Sequence, residues 1–304
     1  MNRRSLIVAP AALLAVPRSL RAQAPVPLDV AYAGSMGAMM EGPMKTQAQT
    51  ALGIAFHGRG QGSDALAGLI AGGSITPDVF IPVTNTPLMT VLKSGKAAAG
   101  IPVARTEMVI AYSPKSTYAQ AFADAAAGKR GAAPWWQILA QPNIRFGRTD
   151  PATDPQGRNM LFTLQLAETF YKQPGLAQKI AGQPVNPAQI FAEPTVEARL
   201  QSGELDAASA YKIQPSPLNI PYVTLPPEIN LASDAMRARY AQATLELNGR
   251  TFHPDPLVYY AAVLDGSAHK DKATAFVQWL LGPGRAIFRQ YSYDAPTGAK
   301  TLRA

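Results

Sequence analysis

A chain of 304 residues with 47% hydrophobic and 16% charged content has the composition of a folded globular protein and room for two modest domains. Of its net charge of +8, half lies in the first 24 residues, and the remaining +4 is modest and spread out, which argues against nucleic acid as a partner. The absence of cysteine excludes disulfides, thiolate metal sites, a cysteine nucleophile and a lipid-anchor cysteine.

Residues 1–24 differ from the rest. Asn2-Arg3-Arg4 is a basic start, Leu6 to Val16 an apolar run too short to cross a bilayer, and Ala22-Gln23-Ala24 an A-x-A end. This pattern predicts an export signal cleaved near Ala24, and Arg3-Arg4 permits either a twin-arginine or an ordinary export route. Its loss removes four arginines and no acids, so +8 becomes +4.

Pro27 to Tyr32 reads as a first strand ending at Ala33-Gly34-Ser35, followed by a helix from Met36 to Leu52 broken near Gly42-Pro43. Gly53 to His57 reads as a second strand that ends in the glycine-rich Gly58 to Ser63, and Asp64 to Ala71 as a helix with Leu66, Leu69 and Ile70 on one face. Pro77 to Ile81 is a third strand and Leu88 to Gly95 a short helix. Strands alternating with helices predict an α/β fold with mostly parallel sheets, which hold ligands at the carboxyl ends of their strands. Ser35 and Ser63 fall there, each at a helix start where it reads as a helix cap or as an oxyanion donor.

Thr106 to Tyr112 is a β-rich run suited to crossing into a second lobe. Helices are predicted at Tyr118 to Ala127 and Pro134 to Leu139, and a strand at Ile144 to Thr149. The turn Thr149 to Arg158 follows, where Pro151, Pro155 and Gly157 stop either flank from running through and present backbone N–H groups at the start of a helix running to Lys172. A carboxylate in such an anion-binding turn repels an anion unless it touches something positive, so Asp154 is the anomaly to explain; it also reads as that helix's cap. Gln189 to Ala192 is a short strand, Glu193 lies at the start of the Thr195 to Ser202 helix, and Leu205 to Tyr211 and Tyr222 to Leu225 are strands. Asp234 to Leu247 reads as a helix, Leu257 to Leu264 as a strand and Lys270 to Leu281 as a closing helix.

Ala33-Gly34-Ser35-Met36-Gly37 has the outline of a nucleophile elbow, but nothing nearby orders His57, His253 or His269 into a triad with Ser35. Gly58-Arg59-Gly60-Gln61-Gly62 has neither dinucleotide nor P-loop spacing, and the scattered histidines lack metal-site spacing.

The ordered set Thr106 to Tyr112, Phe146-Gly147 with Asp150-Pro151 and Asp154-Pro155-Gln156-Gly157, Gln201 to Asp206 with Tyr211-Lys212, and Leu225 to Leu231 resembles the tungstate/molybdate-binding proteins of ABC importers, nearest to the branch with a six-coordinate metal site. The resemblance implies a two-lobed periplasmic-binding-protein fold of type II, with lobe one at 25–105 plus 225–304 and lobe two at 106–224. It implies a monomer that binds a tungstate or molybdate oxyanion, works with a membrane permease in the periplasm, needs no cofactor and catalyses no reaction. It assigns hydroxyl donors to Ser35, Ser63 and Tyr211, a backbone N–H to Gln156, and carboxylates reaching the metal to Asp154 and Glu193. Gln156, Ala210 and the Pro82 to Asn85 turn depart from the family pattern, the last two expected near the cleft mouth. The alternatives are the same fold holding another small anion, and a hydrolase using Ser35.

Overall fold

The computed structural model describes residues 24–304, so the expected export signal falls outside the described residues except for Ala24. Strand β1 (Val26–Ala33) leads through a 3-10 turn, Gly34–Met36, and the one-turn helix α1 (Gly37–Met39) into a widened turn, Met40–Met44, and helix α2 (Lys45–Leu52). The break expected at Gly42-Pro43 is present as non-helical backbone at Gly42. Gly53, at φ +60, ends α2 in a conformation that favours glycine.

Strand β2 (Ile54–Gln61) runs on through the glycine-rich stretch expected to be a turn. It is paired with β1 over its full length, from Val26 with Ile54 to Ala33 with Gln61, and backbone pairing holds even where side chains are absent. Helix α3 (Ser63–Ala71), β3 (Val79–Ile81), α4 (Asn85–Lys93) and β4 (Ala99–Arg105) follow. Strand β4 is not expected from the sequence, because Pro102 breaks the strand pattern; it sits beside a register shift at Tyr259/Tyr260.

Strand β5 (Met108–Tyr112) opens the second sheet, followed by α5 (Ala119–Ala126), α6 (Trp135–Leu139), the two-residue β6 (Phe146–Gly147), α7 (Pro155–Tyr171), α8 (Leu176–Ala181), α9 (Glu193–Ser202), β7 (Ala207–Tyr211) and β8 (Tyr222–Thr224). The strand expected at Gln189 to Ala192 is reduced to one bridge between Arg148 and Ile190, since the two-residue β6 offers no longer edge to pair with.

The helix expected over 234–247 is overturned. A 3-10 turn at Asp234–Met236 and the one-turn α10 (Arg237–Tyr240) give way to a hairpin of β9 (Leu245–Leu247) and β10 (Arg250–Phe252). Asn248 and Gly249, at φ +53 and +70, make the turn that matches the twist of paired strands. Strand β11 (Val258–Val263), α11 (Lys270–Leu281), α12 (Arg285–Gln290) and β12 (Leu302–Arg303) complete the chain.

The strands form a six-stranded sheet in the order β12-β4-β11-β3-β1-β2, a four-stranded sheet in the order β6-β7-β5-β8, and the hairpin. The expectation of mostly parallel sheets is corrected: among the described strands, β1 with β2, β1 with β3 and β6 with β7 pair parallel and the other pairings are antiparallel. Strands β11 and β5, which enter their sheets by long excursions of the chain, run antiparallel to both neighbours. The result is an α/β fold of two lobes with helices flanking mixed sheets.

Helix α7 is buried at every position from Pro155 to Leu164. Its apolar residues Met160, Leu161, Phe162 and Leu164 belong to the main core. Its buried polar residues each need a partner, because an unpaired polar group away from water costs about 1–3 kcal/mol. Thr163 finds one in the Ile229 carbonyl at 3.1 Å. The partners of Gln156, Arg158 and Asn159 build the site.

Candidate functional site

A cavity of about 740 Å³ lies between the loops of the two sheets. Gly34, Ser35 and Gly62, from the ends of β1 and β2, line one side; Thr153, Asp154 and Glu193, from the starts of α7 and α9, line the other. Ser63, Gln156 and Tyr211 lie buried behind this wall. The fold therefore gathers all six residues singled out from the sequence, three lining the cavity and three behind it.

Asp154 caps α7: its Oδ1 accepts the backbone N–H of Gln156 at 2.8 Å. The N–H assigned to a ligand is thus already engaged by the carboxylate, as expected of an aspartate in the capping position. The Gln156 side chain donates to the Ser209 carbonyl at 3.2 Å and to the side-chain oxygen of Gln214, a cavity-lining residue, at 2.9 Å.

Glu193 begins α9 and reaches across the cleft to the β1 turn, so close that a Cβ added at Gly34 would stand 2.5 Å from its Oε2. Gln214 Nε2 lies 3.4 Å from its Oε1. Burial raises the Asp154 pKa to about 6, against the opposing pull of the Gln156 N–H and Arg158. Burial also lifts Glu193 well above the usual carboxylate range, and the charges of Asp154 and Glu197 push it further. Glu197, one turn along α9, lines the same cavity and is raised by burial too. Three acids face one space whose lining, among the described residues, includes no lysine, arginine or histidine.

Two of the hydroxyls, those of Tyr211 and Ser63, accept from an N–H and so keep their own proton to donate. Tyr211 Oη accepts from Asn159 Nδ2 at 2.9 Å, which leaves its O–H free to donate elsewhere. Ser63 Oγ accepts the Val83 N–H at 3.2 Å and likewise keeps its proton available. Ser35 Oγ lies 3.0 Å from Tyr259 Oη. Neither serine makes a capping bond to its own helix. The partner of Ser35 is a tyrosine rather than a histidine base; His57 pairs with Asp29 at 3.1 Å and His269 with Asp78 at 3.5 Å.

Tyr259, Asn159, Gln214 and Glu197 were not singled out from the sequence. Glu197 sits one helical turn beyond Glu193, a signal within reach; Asn159, five residues beyond Asp154 and off its helical face, and Tyr259 and Gln214 arrive only through tertiary packing. The departures also find their places. Ala210 is buried in an apolar cluster with Val109, Val196 and Leu200, away from the cleft mouth where it was expected, because alternation along β7 turns it opposite to Tyr211. Val83, in the Pro82 to Asn85 turn, supports Ser63, and Thr84 takes φ +70.

Residues 28–294 match the family described as bacterial extracellular solute-binding proteins. The chain is 32% identical over 212 residues to an uncharacterized solute-binding protein of Petrotoga mobilis, covering 66% of this chain and 63% of that one. It is 30% identical over 213 residues to the molybdate/tungstate-binding protein WtpA of Thermococcus kodakarensis, covering 63% of this chain and 58% of the relative. The matches thus span about three fifths of these relatives. Among solved structures, the periplasmic molybdate-binding protein of Azotobacter vinelandii superposes with a TM-score of 0.59 at 19% identity, over 89% of this chain and 100% of that one. At that identity the likeness concerns the fold.

Proposed function

This chain belongs to the family of bacterial extracellular solute-binding proteins, and we propose that it is the periplasmic component of an ABC importer that closes its two lobes on one tungstate or molybdate. In this reading residues 25–105 with 225–304 form one lobe and 106–224 the other, residues 1–24 are an export signal cleaved near Ala24, and the loaded monomer delivers its cargo to a membrane permease. No bond of the protein is made or broken; the work is hinge closure.

The observation that carries the reading is the pairing of Asp154 with Glu193 in a space with no cationic lining among the described residues. Two carboxylates facing the oxygens of a dianion repel it. Facing a hexavalent metal they become ligands, and the four-coordinate oxyanion expands to six. The hydroxyls of Ser35, Ser63 and Tyr211 then donate to the oxo groups, and the Gln156 N–H turns from Asp154 to the ligand or is shared. Sulfate and phosphate accept the same hydroxyl donors but have no centre that takes up carboxylate oxygens, so for them the carboxylates remain repulsive.

Calorimetric titration of the mature chain with tungstate, molybdate, sulfate and phosphate tests this. The expectation is tight binding of the first two alone; sulfate binding as strong as tungstate would refute it. A second reading, the same cleft holding a small organic ligand, draws support from the cavity volume of about 740 Å³, far larger than a five-atom oxyanion needs. On that reading Asp154→Ala and Glu193→Ala leave binding intact.

A further inference from the structure

Asp64 and Arg158 occupy matching positions on opposite sides of the cleft. Asp64 follows Ser63 in the first turn of α3, and Arg158 lies four residues beyond Asp154 in the first turn of α7. Arg158 Nη2 and Asp64 Oδ2 form an ion pair, with the arginine side chain 8% exposed and the aspartate 31%. The other arm of the guanidinium, Nη1, donates to the Pro151 carbonyl at 2.9 Å, inside the Asp154 turn. Its flat face lies 4.6 Å from the Phe252 ring centroid in the β9–β10 hairpin. The same two turns meet once more: a Cβ added at Gly62 would stand 3.2 Å from the Thr153 carbonyl oxygen.

Every other contact of this guanidinium is to the Asp154 turn or to the hairpin, and the hairpin, although it falls in the 225–304 segment assigned above to the first lobe, is attached to α7, with Thr244 bonded to Gln165 through both its N–H and its carbonyl. Asp64 is therefore the only bridge from this cation to the six-stranded sheet among the described residues. A desolvated arginine that loses its one ion-paired carboxylate keeps only the longer-range pull of Asp154 on its own side of the cleft, and this favours parting the two turns so that water reaches it. We propose that Asp64 and Arg158 form a tie between the two ligand-bearing turns that holds one edge of the cleft shut without ligand. Arg158 is then a positioning residue, which fixes the Asp154 turn through Pro151 and sets how often the binding-competent closed form is populated. This rests on the cleft-binding reading above. The tie touches no ligand, so its loss lowers affinity by the same factor for every ligand the closed cleft accepts, whereas loss of Asp154 or Glu193 changes which ligand is accepted.

The absence of cysteine gives a direct test. Lys93 and Arg130 are exposed, the first at the end of α4 beside the six-stranded sheet and the second beyond α5 beside the four-stranded one. Lys93→Cys with Arg130→Cys, spin-labelled, reports the separation of the two sides by pulsed resonance in ligand-free protein. The tie predicts one narrow distance in this background, a longer or broadened distribution on adding Asp64→Asn, and recovery with Asp64→Glu. Tungstate affinity should fall about tenfold with Asp64→Asn, mainly through faster dissociation, in the range usual for coupling between a conformational equilibrium and a site. An unchanged ligand-free distance in Asp64→Asn, with a normal thermal transition, overturns the proposal. If Asp64→Asn does not fold, the swap Asp64→Arg with Arg158→Asp decides instead: recovery of the narrow distance supports the tie, and failure of a folded swap to recover it overturns it. Because the distance is read without ligand, a chain that binds no oxyanion would refute the tungstate reading and still show whether the tie holds.

Discussion

Asp154 Oδ1 accepts the backbone N–H of Gln156 at 2.8 Å, so one carboxylate serves as helix cap and as the cleft's central acid. The two roles separate by substitution. Asparagine caps a helix about as well as aspartate, whereas alanine forfeits about 1 kcal/mol. Asp154→Asn should therefore keep its unfolding midpoint and Asp154→Ala should lose a few degrees. Both should lose tungstate affinity on the order of 100-fold, the scale of removing one partner from a desolvated charge contact. Differential scanning calorimetry paired with titration calorimetry checks both halves; an Asp154→Asn variant that binds normally would show that the side chain is a cap and nothing more.

The raised pKa of Asp154, about 6, fixes the sign of a pH effect. The empty folded protein holds a proton there that the unfolded chain has released above its ordinary value near 4. This group's contribution to stability is present below that value and is lost as pH rises through about 6. Glu193, raised in the same direction, adds to the trend. Coordination of a metal needs both groups deprotonated, so ligand affinity should increase from pH 5 to pH 7 while the stability of the empty protein falls, with protons released on binding. Titrations in two buffers of different ionisation enthalpy count those protons, and proton uptake instead of release would contradict the assignment.

The Asp154 turn was legible in the sequence because prolines and a glycine force a chain reversal whatever the surroundings, and a carboxylate there is anomalous on electrostatic grounds alone. Ser35, Ser63 and Glu193 were legible as residues at strand ends and helix starts. The hairpin at Leu245 to Phe252 was also written in the chain, as alternation around Asn248-Gly249, but the helical spacing upstream masked it. Other features had no local signal. Strand β2 continues through Gly58 and Gly60 because β1 supplies the pairing, and Tyr259 reaches Ser35 across a separation of 224 residues. Such contacts are set by the sheet order.

Tyr211 and Asn159 form a buried pair in which the amide donates and the phenol oxygen accepts. Tyr211→Phe removes the acceptor, leaves the amide unpaired and should destabilise the protein by about 1–3 kcal/mol. It should also weaken tungstate binding by roughly tenfold, the value of one hydrogen bond to a charged group. Tyr211→Phe with Asn159→Leu removes both polar groups and should recover part of the stability but none of the affinity. Recovery of affinity in the double variant would mean that the phenol serves packing alone.

Two glycines near the cleft should respond to the same substitution in opposite ways. At Gly157 an added Cβ would stand 2.3 Å from the Thr149 carbonyl oxygen, 2.8 Å from the Pro151 nitrogen and 2.9 Å from the Asp150 carbonyl carbon. These are backbone atoms of the turn itself and have nowhere to retreat, so Gly157→Ala should cost roughly 3 kcal/mol or more through strain in a close-packed region. At Gly34 the Cβ would stand 2.5 Å from Glu193 Oε2, and the next nearest atom outside that carboxylate, the Gln61 carbonyl carbon, is at an ordinary 3.7 Å. A carboxylate tip swings aside by bond rotation at little expense, and the loss of a glycine from the unfolded chain returns about 0.4–1 kcal/mol. Gly34→Ala should therefore melt within a degree or two of the parent while losing tungstate affinity on the order of tenfold or more, because Glu193 no longer lies against the β1 turn. Unfolding curves and titrations on both variants decide the matter. If Gly34→Ala binds as tightly as the parent, the position Glu193 holds beside Gly34 is not the one it uses with ligand.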